Sequence, residues 1–305
     1  LGRVLEEGIL HIYLSSVKEN IFNLYDGSLL KGLKIVIDCA NGASFVVAPA
    51  ILKELGADVI EMNISPDGIN INDKCGSTCV ESLSQRVVYE EADTGFAFDG
   101  DGDRVISVDR NGRTIDGDKM MFIIASYLKD KGMLKNNLVV STVMSNLGFE
   151  LALKKKSIQM VRTNVGDRYV LEEMIKNGGI LGGEQSGHII LLDYNNTGDG
   201  LITALMLLKV MLDTGKPLET LGSEVVKYPQ ILVNIPVLDK NSFGKDLYLR
   251  ELIEKEEKIL SGRGRILVRP SGTEPLVRVM VEALDKDEMN DMAERISSEI
   301  RKRLC

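Results

Sequence analysis

The chain has 305 residues, of which 44% are apolar and 27% charged, and its formal net charge is −8. That is the make-up of a soluble globular protein with room for two or three domains. The acidic balance argues against broad nucleic-acid binding but leaves room for a small anion held by a few local arginines. No apolar run approaches the length of a membrane span, and Leu1–Glu7 holds no signal-peptide core, so no membrane partner and a cytoplasmic location are expected.

In chain order, residues 6–24 predict an amphipathic helix with Leu10, Tyr13, Leu14, Val17 and Ile21 on one face. Lys34–Asp38 predicts a parallel strand that runs through Cys39–Ala43 into a helix ending at Gly56, and Val59–Met62 predicts the next strand. Gly95–Phe98 and Val105–Val108 predict two buried strands flanking an acidic loop. A helix over about 118–131 crosses towards a second unit of the same kind: strand 137–143, helix to Lys156, strand 158–161 and a polar loop at 182–188. The two halves resemble an internal duplication, each presenting one polar loop at a strand end. A long helix follows over Leu201–Leu212 and ends at Thr214–Pro217. From about Val226, strands at 231–235, 264–269 and 277–282 alternate with helices at about 245–260 and 287–303. The expected fold class is therefore α/β: two similar α/β domains, over 1–112 and 113–222, plus a small C-terminal α+β domain over 223–305.

The four cysteines are Cys39, Cys75, Cys79 and Cys305. Cys75 and Cys79 form one CxxxC pair with no second pair, and His188 is distant in sequence, which disfavours a zinc site and suits free thiols in a reducing compartment.

The loop Asp99-Gly100-Asp101-Gly102-Asp103-Arg104 carries the most chemistry. Carboxylates at i, i+2 and i+4 of an extended segment point to one side, and crowded negative charge favours a bound cation. Two intervening glycines let the backbone curl so that the oxygens converge. Hard oxygen ligands in this number suit Mg²⁺, which often sits beside a phosphate. An EF-hand also opens with alternating aspartates, but it needs glycine at its sixth position and glutamate at its twelfth, where this chain has Arg104 and Arg110. A solvated acidic turn is the other alternative.

Two further loops are candidates. Arg269-Pro270-Ser271-Gly272-Thr273-Glu274-Pro275, with Arg278 three residues on, offers guanidinium forks, hydroxyls and a close-approach glycine, a set suited to phosphate. The same string also reads as an ordinary turn. Gly182–His188 places Glu184, Ser186 and His188 together; Glu184 and Ser186 could supply the paired acceptor and donor that neighbouring sugar hydroxyls need, while a histidine such as His188 taken in isolation is more often structural than catalytic. Thr163–Arg168 is a polar strand-end loop whose Asp167 also suits a helix N-cap.

DGDGDR, GGEQSGH and RPSGTEPLVRV, in that order, resemble the metal, sugar and phosphate loops of the α-D-phosphohexomutases. They span Asp99 to Val279. Asn70-Ile71-Asn72 followed by Cys75–Thr78, the string Val165–Val170, and Gln185 resemble the branch that acts on phosphorylated amino sugars. Cys79 departs from that branch, which commonly has histidine there. The resemblance implies four domains around one cleft, the first bearing a phosphoserine in a T-A-S-H-N-P-like loop. No Ser-His dipeptide occurs in this sequence, so the first domain is expected to be absent and this chain to be inactive alone.

For the parent enzyme the resemblance implies an isomerase that interconverts glucosamine 6-phosphate and glucosamine 1-phosphate through a bisphosphate, feeding amino-sugar synthesis. Asp99, Asp101 and Asp103 would hold Mg²⁺, with Arg104 adding catalytic positive charge. Glu184, Ser186, His188, Asp167 and Arg168 would face the sugar. Arg269, Ser271, Gly272, Thr273 and Arg278 would hold the phosphate that is not transferred. A phosphorylated amino sugar is the expected partner, and a homodimer is compatible with it. A mannose- or glucose-phosphate mutase and a non-catalytic phosphosugar-binding protein remain the alternatives.

Overall fold

The computed structural model describes residues 10–22, 28–272 and 274–305. They form two compact units. Of the described residues, the first takes in those up to Ser145 and Phe149–Val225; the second takes in those of Asn146–Gly148 and from Val226 on.

In the first unit, helix α1 (Leu10–Phe22) precedes β1 (Lys34–Asp38), α2 (Ser44–Glu54), β2 (Asp58–Met62), α3 (Glu81–Tyr89), β3 (Thr94–Phe98), β4 (Val105–Asp109) and β5 (Thr114–Ile115). The strands form one sheet in the order β2-β1-β3-β4-β5. β1 is parallel to both β2 and β3, and β4 returns antiparallel to β3. Helix α4 (Gly117–Asp130) leads to β6 (Leu138–Thr142), α5 (Leu147–Lys155), β7 (Gln159–Thr163), α6 (Asp167–Asn177), β8 (Leu181–Gly183) and β9 (Ile189–Leu191). This second sheet has the order β7-β6-β8-β9, with β6 parallel to β7 and β8 and with β9 antiparallel to β8. Strand order and direction therefore repeat those of β2-β1-β3-β4, and the duplication expected from sequence is present in the topology. The near-continuous apolar runs of β1, β3 and β6 suit strands covered on both faces.

Helix α7 (Gly200–Thr214) is apolar almost all round and packs on α4, α1, β4 and β9. A helix of that kind belongs inside a core. Asp199 caps its start by accepting from Ile202 N at 2.9 Å, and Gly215 ends it in the left-handed region. One contiguous core runs through both sheets, from Ile35, Phe96 and Phe98 through Phe122 and Leu205 to Phe149 and Leu181. A short helix, α8 (Leu218–Leu221), closes the unit.

In the second unit, β10 (Gln230–Pro236), α9 (Leu247–Leu260), β11 (Gly264–Pro270), β12 (Leu276–Ala283) and α10 (Lys286–Leu304) form an antiparallel β10-β12-β11 sheet. Helix α10 packs on β12 and β10, and α9 packs on β11. Val277, Val279, Leu249, Met292, Ile296 and Ile300 fill the space between them. This is the expected small α+β fold.

Local differences have physical causes. Helix α3 is not anticipated from sequence, because only Leu83 and Val87 of its nine residues are buried. Asp167 does not cap α6: Gly166, at φ 131°, takes the cap position and Asp167 lies in the first turn. Both ends of the helix expected over 6–24, residues 6–9 and 23–24, lie outside the described residues. No helix among the described residues is long and apolar enough to cross a membrane.

Candidate active site

The acidic loop joins β3 to β4. Asp99 folds it by accepting from Gly102 N at 3.2 Å and from Arg104 N at 3.1 Å on the same oxygen, with Gly102 at φ 79°. One oxygen from each of Asp99, Asp101 and Asp103 then lies within 4.8 Å of the others. Burial, together with the neighbouring charges of Asp103 and Asp101, pushes the Asp99 carboxyl up to about 6, against the lowering effect of the Arg104 amide. Asp103 Oδ1 is buried without a hydrogen-bond partner among the described residues. Three converging carboxylates, one with a buried oxygen lacking a hydrogen bond, fit a hard divalent cation. Arg104 Nε lies 3.9 Å from Asp99 and 3.7 Å from Asp103.

Two loops behind the acidic loop hold it in place. Ala43 N donates to Gly100 O at 2.8 Å and Ser77 N to Phe98 O at 3.0 Å. A Cβ on Gly42 would come 2.3 Å from Gly100 O, so only glycine allows this approach. Buried Asp38 ties the two supports together, accepting from Ala40 N and Gly76 N, each at 2.9 Å. Asp38 belongs to none of the sequence motifs. Its signal was a carboxylate closing an apolar strand, at the strand end where α/β sheets place ligands.

The sugar-type loop joins β8 to β9, the position in the second sheet that the acidic loop occupies in the first. Glu184 is held by Gly166 N, which donates to Oε1 at 3.0 Å, while Ser186 Oγ donates to Oε2 at 3.3 Å. The two hairpin tips meet. Arg104 and His188 form an isolated antiparallel bridge, Val105 N donates to Gly187 O at 3.2 Å, and Gly117 N donates to Gln185 O at 3.0 Å.

His188 is 2% exposed. Its Nε2 lies 3.4 Å from Asp103 Oδ2, and its ring fills the space where a Cβ on Gly198 would sit. The structure thus places it behind the acidic loop rather than at the open side of the sugar-type loop. Arg168 also departs from the expected grouping. Its side chain is 82% exposed and pairs with Glu172 one turn along α6, while Asp167 accepts from the Arg168 amide. A cavity of about 620 Å³ opens beside the acidic loop, lined among others by Asp101, Asp103, Ser44, Thr197, Tyr13 and Asp199. The Tyr13 hydroxyl donates to Asp199 at 2.9 and 3.1 Å, and burial and that carboxylate raise its pKa.

In the second unit the phosphate-type loop joins β11 to β12. Arg269 and Arg278 stand opposite each other in register. Like charges directly opposed destabilise a sheet unless something offsets them, which suits an anion site. Arg278 Nη2 donates to Glu274 at 2.8 Å, and its buried Nε has no hydrogen-bond partner among the described residues. Ser271 is 4% exposed and its hydroxyl accepts from Glu274 N at 3.3 Å. A Cβ on Gly272 would meet nothing within 4 Å, so its backbone is open to approach. Thr273 lies outside the described residues.

Three family models match in succession: "Phosphoglucomutase/phosphomannomutase, alpha/beta/alpha domain II" over residues 11–112, the corresponding domain III over 116–228, and the C-terminal domain over 232–299. The phosphoglucosamine mutase of Carboxydothermus hydrogenoformans is 52% identical over 302 residues, covering 99% of this chain and 67% of that protein. The chain belongs to the phosphohexomutase family. The phosphoglucosamine mutase of Pelotomaculum thermopropionicum is 55% identical over 272 residues, 89% of this chain and 61% of that protein. The chain thus spans roughly three fifths to two thirds of these relatives. Among solved phosphohexomutase structures, a phosphoglucomutase/phosphomannomutase family protein from Burkholderia thailandensis matches with a TM-score of 0.75 at 21% identity, covering 97% of this chain and 65% of that one. The N-acetylphosphoglucosamine mutase of Aspergillus fumigatus, solved with GlcNAc-6P and magnesium, matches with a TM-score of 0.73 at 21% identity over the same shares. These two likenesses speak to the fold.

Proposed function

We propose that this chain is the metal-, sugar- and phosphate-binding part of a phosphoglucosamine mutase, an isomerase of the cytoplasm that interconverts glucosamine 6-phosphate and glucosamine 1-phosphate. The convergence of Asp99, Asp101 and Asp103 on one point beside the sugar-type loop is the observation that carries it. The names of relatives above 50% identity support the amino-sugar specificity.

Phosphoryl transfer through a loose transition state is catalysed by positioning and charge neutralisation. Asp99, Asp101 and Asp103 would hold Mg²⁺, which supplies positive charge to the phosphoryl oxygens. Arg104 adds a second positive charge at the same loop. Glu184, fixed by Gly166 and Ser186, accepts from sugar hydroxyls. Asp167 and Arg168, in the first turn of α6 next to Gly166, would approach the sugar from beside Glu184. His188 lies behind Asp103, with its Nε2 3.4 Å from Oδ2. Arg269, Ser271, Gly272, Thr273 and Arg278 grip the phosphate that is not transferred. The phosphoryl-donating serine comes from outside this sequence, which has no Ser-His dipeptide.

Phosphorus NMR of glucosamine 6-phosphate with Mg²⁺ and catalytic bisphosphate tests the assignment, on this chain and on a longer chain carrying a serine loop. Conversion by the longer chain alone is expected. Conversion of mannose 6-phosphate in preference would move the specificity to a sister enzyme, and steady turnover by this chain alone would refute the external serine.

A further inference from the structure

Lys240 is not among the residues that sequence motifs bring to attention, yet it is built into the phosphate-type loop. After β10, Val237 N donates to Pro275 O at 3.0 Å, which brings the following segment alongside the loop. Asp239 then caps a short 3₁₀ turn over Lys240–Lys245 by accepting from Asn241 N at 2.9 Å. Lys240 begins that turn, half-buried, and its Nζ donates to both Ser271 O and Gly272 O at 2.8 Å.

We propose that Lys240 is a positioning residue for phosphate recognition, pinning the Ser271 and Gly272 carbonyls so that the loop presents its amide side to the anion. In a trans peptide the C=O and the following N–H point in opposite directions. Holding Ser271 O against the ammonium therefore turns Gly272 N away from Lys240, at a glycine where even an added Cβ would meet nothing within 4 Å. Two carbonyls held by one cation also keep their partial negative charge away from an incoming phosphate. No carboxylate within ion-pair distance of Lys240 competes among the described residues, so the ammonium serves the backbone alone. A neutral side chain at this position leaves two carbonyls free to turn towards the ligand, where they repel it.

This inference rests on the phosphate-binding role proposed above, and the test separates the two. The whole chain is titrated with glucosamine 6-phosphate, and separately with glucosamine, while the Gly272 amide signal is followed by NMR. The wild-type chain and the Lys240→Met, Lys240→Gln, Lys240→Arg and Arg278→Ala variants are compared. Loss of one charge-assisted contact on the loop predicts about tenfold weaker binding of glucosamine 6-phosphate by Lys240→Met and Lys240→Gln. Faster hydrogen exchange at Gly272 and an unchanged melting temperature should accompany it. Lys240→Arg keeps a cation with several donors and should recover most of the affinity.

Wild-type affinity in Lys240→Met and Lys240→Gln would overturn the proposal. So would a loss that tracks a fall in melting temperature and that arginine does not rescue. If the wild-type chain shows no Gly272 response and Arg278→Ala changes nothing, the phosphate role of the loop itself falls, and that of Lys240 with it.

Discussion

Arg104 and His188 pair across a single antiparallel bridge, and the same two residues flank Asp103: one follows it in sequence, while the other reaches it with Nε2 at 3.4 Å. The third carboxylate of the acidic loop therefore lies close to a side chain of the second hairpin as well as to the arginine that follows it.

The first prediction concerns pH and metal. The Asp99 carboxyl is raised from 3.8 to about 6. A carboxyl whose pKa is raised on folding contributes stability that is present below the unfolded value and lost as pH rises through the folded one. The metal-free chain should therefore lose stability between about pH 4 and pH 6.5, by this group alone. Mg²⁺ competes with the proton, so it should raise the melting temperature at pH 7.5 and have little effect at pH 5. Differential scanning fluorimetry with and without Mg²⁺ checks both limbs, and Asp101→Asn should abolish the Mg²⁺ effect at pH 7.5. An equal effect at the two pH values would contradict the assignment of Asp99 as a ligand.

The fold was largely legible in the sequence because both sheets are built on buried parallel strands, whose apolar runs leave little choice of element. The acidic loop was legible for a similar reason: three carboxylates at alternating positions have few structural uses. Contacts between elements were not legible. His188 stands beside Glu184 and Ser186 in sequence and shares their polarity, but the bridge to Arg104 turns its ring inward against Gly198. Arg168 carries the charge a phosphosugar would want, and here its exposed side chain pairs with Glu172 four residues on along α6. Lys240 and Asp38 act through backbone groups, which leave no mark in residue type.

The second prediction concerns the meeting of the hairpins. Gly187 has φ 94°, and a Cβ there would come 2.2 Å from Val105 O. The obstacle is backbone and cannot step aside. Gly187→Ala should cost about 2–4 kcal/mol, combining a strained backbone with a displaced bridge. Urea unfolding measures the loss. Because Val105 follows the acidic loop, the affinity for Mg²⁺ should fall with it, whereas Gly215→Ala, with nothing within 4 Å, should leave Mg²⁺ affinity unchanged.

The third prediction separates sugar from phosphate. Glu184→Gln keeps an oxygen for Gly166 N but loses the charge proposed to accept from sugar hydroxyls. Its affinity for glucosamine 6-phosphate should fall about tenfold, the size of one hydrogen bond to a charged group. Its affinity for inorganic phosphate should not change. Calorimetric titration with both ligands decides, and a parallel loss for phosphate would remove Glu184 from the sugar site.

The fourth prediction concerns the second unit, where the Glu282 carboxylate is fully buried. It accepts from Arg265 Nε at 2.9 Å, from Asn146 Nδ2 at 3.2 Å and from Leu147 N at 3.2 Å. A buried charge stripped of its cationic partner is far more costly than a well-packed apolar pair in the same space. Arg265→Leu should therefore destabilise by about 3–5 kcal/mol. Replacing both partners, Arg265→Leu with Glu282→Leu, removes the stranded charge and should recover part of the loss, although the donors of Asn146 and Leu147 are then left without the carboxylate. Chemical denaturation of the two single variants and the double variant gives the coupling between the sites. Additive losses would mean that Glu282 draws its stability from the Asn146 and Leu147 donors and not from Arg265.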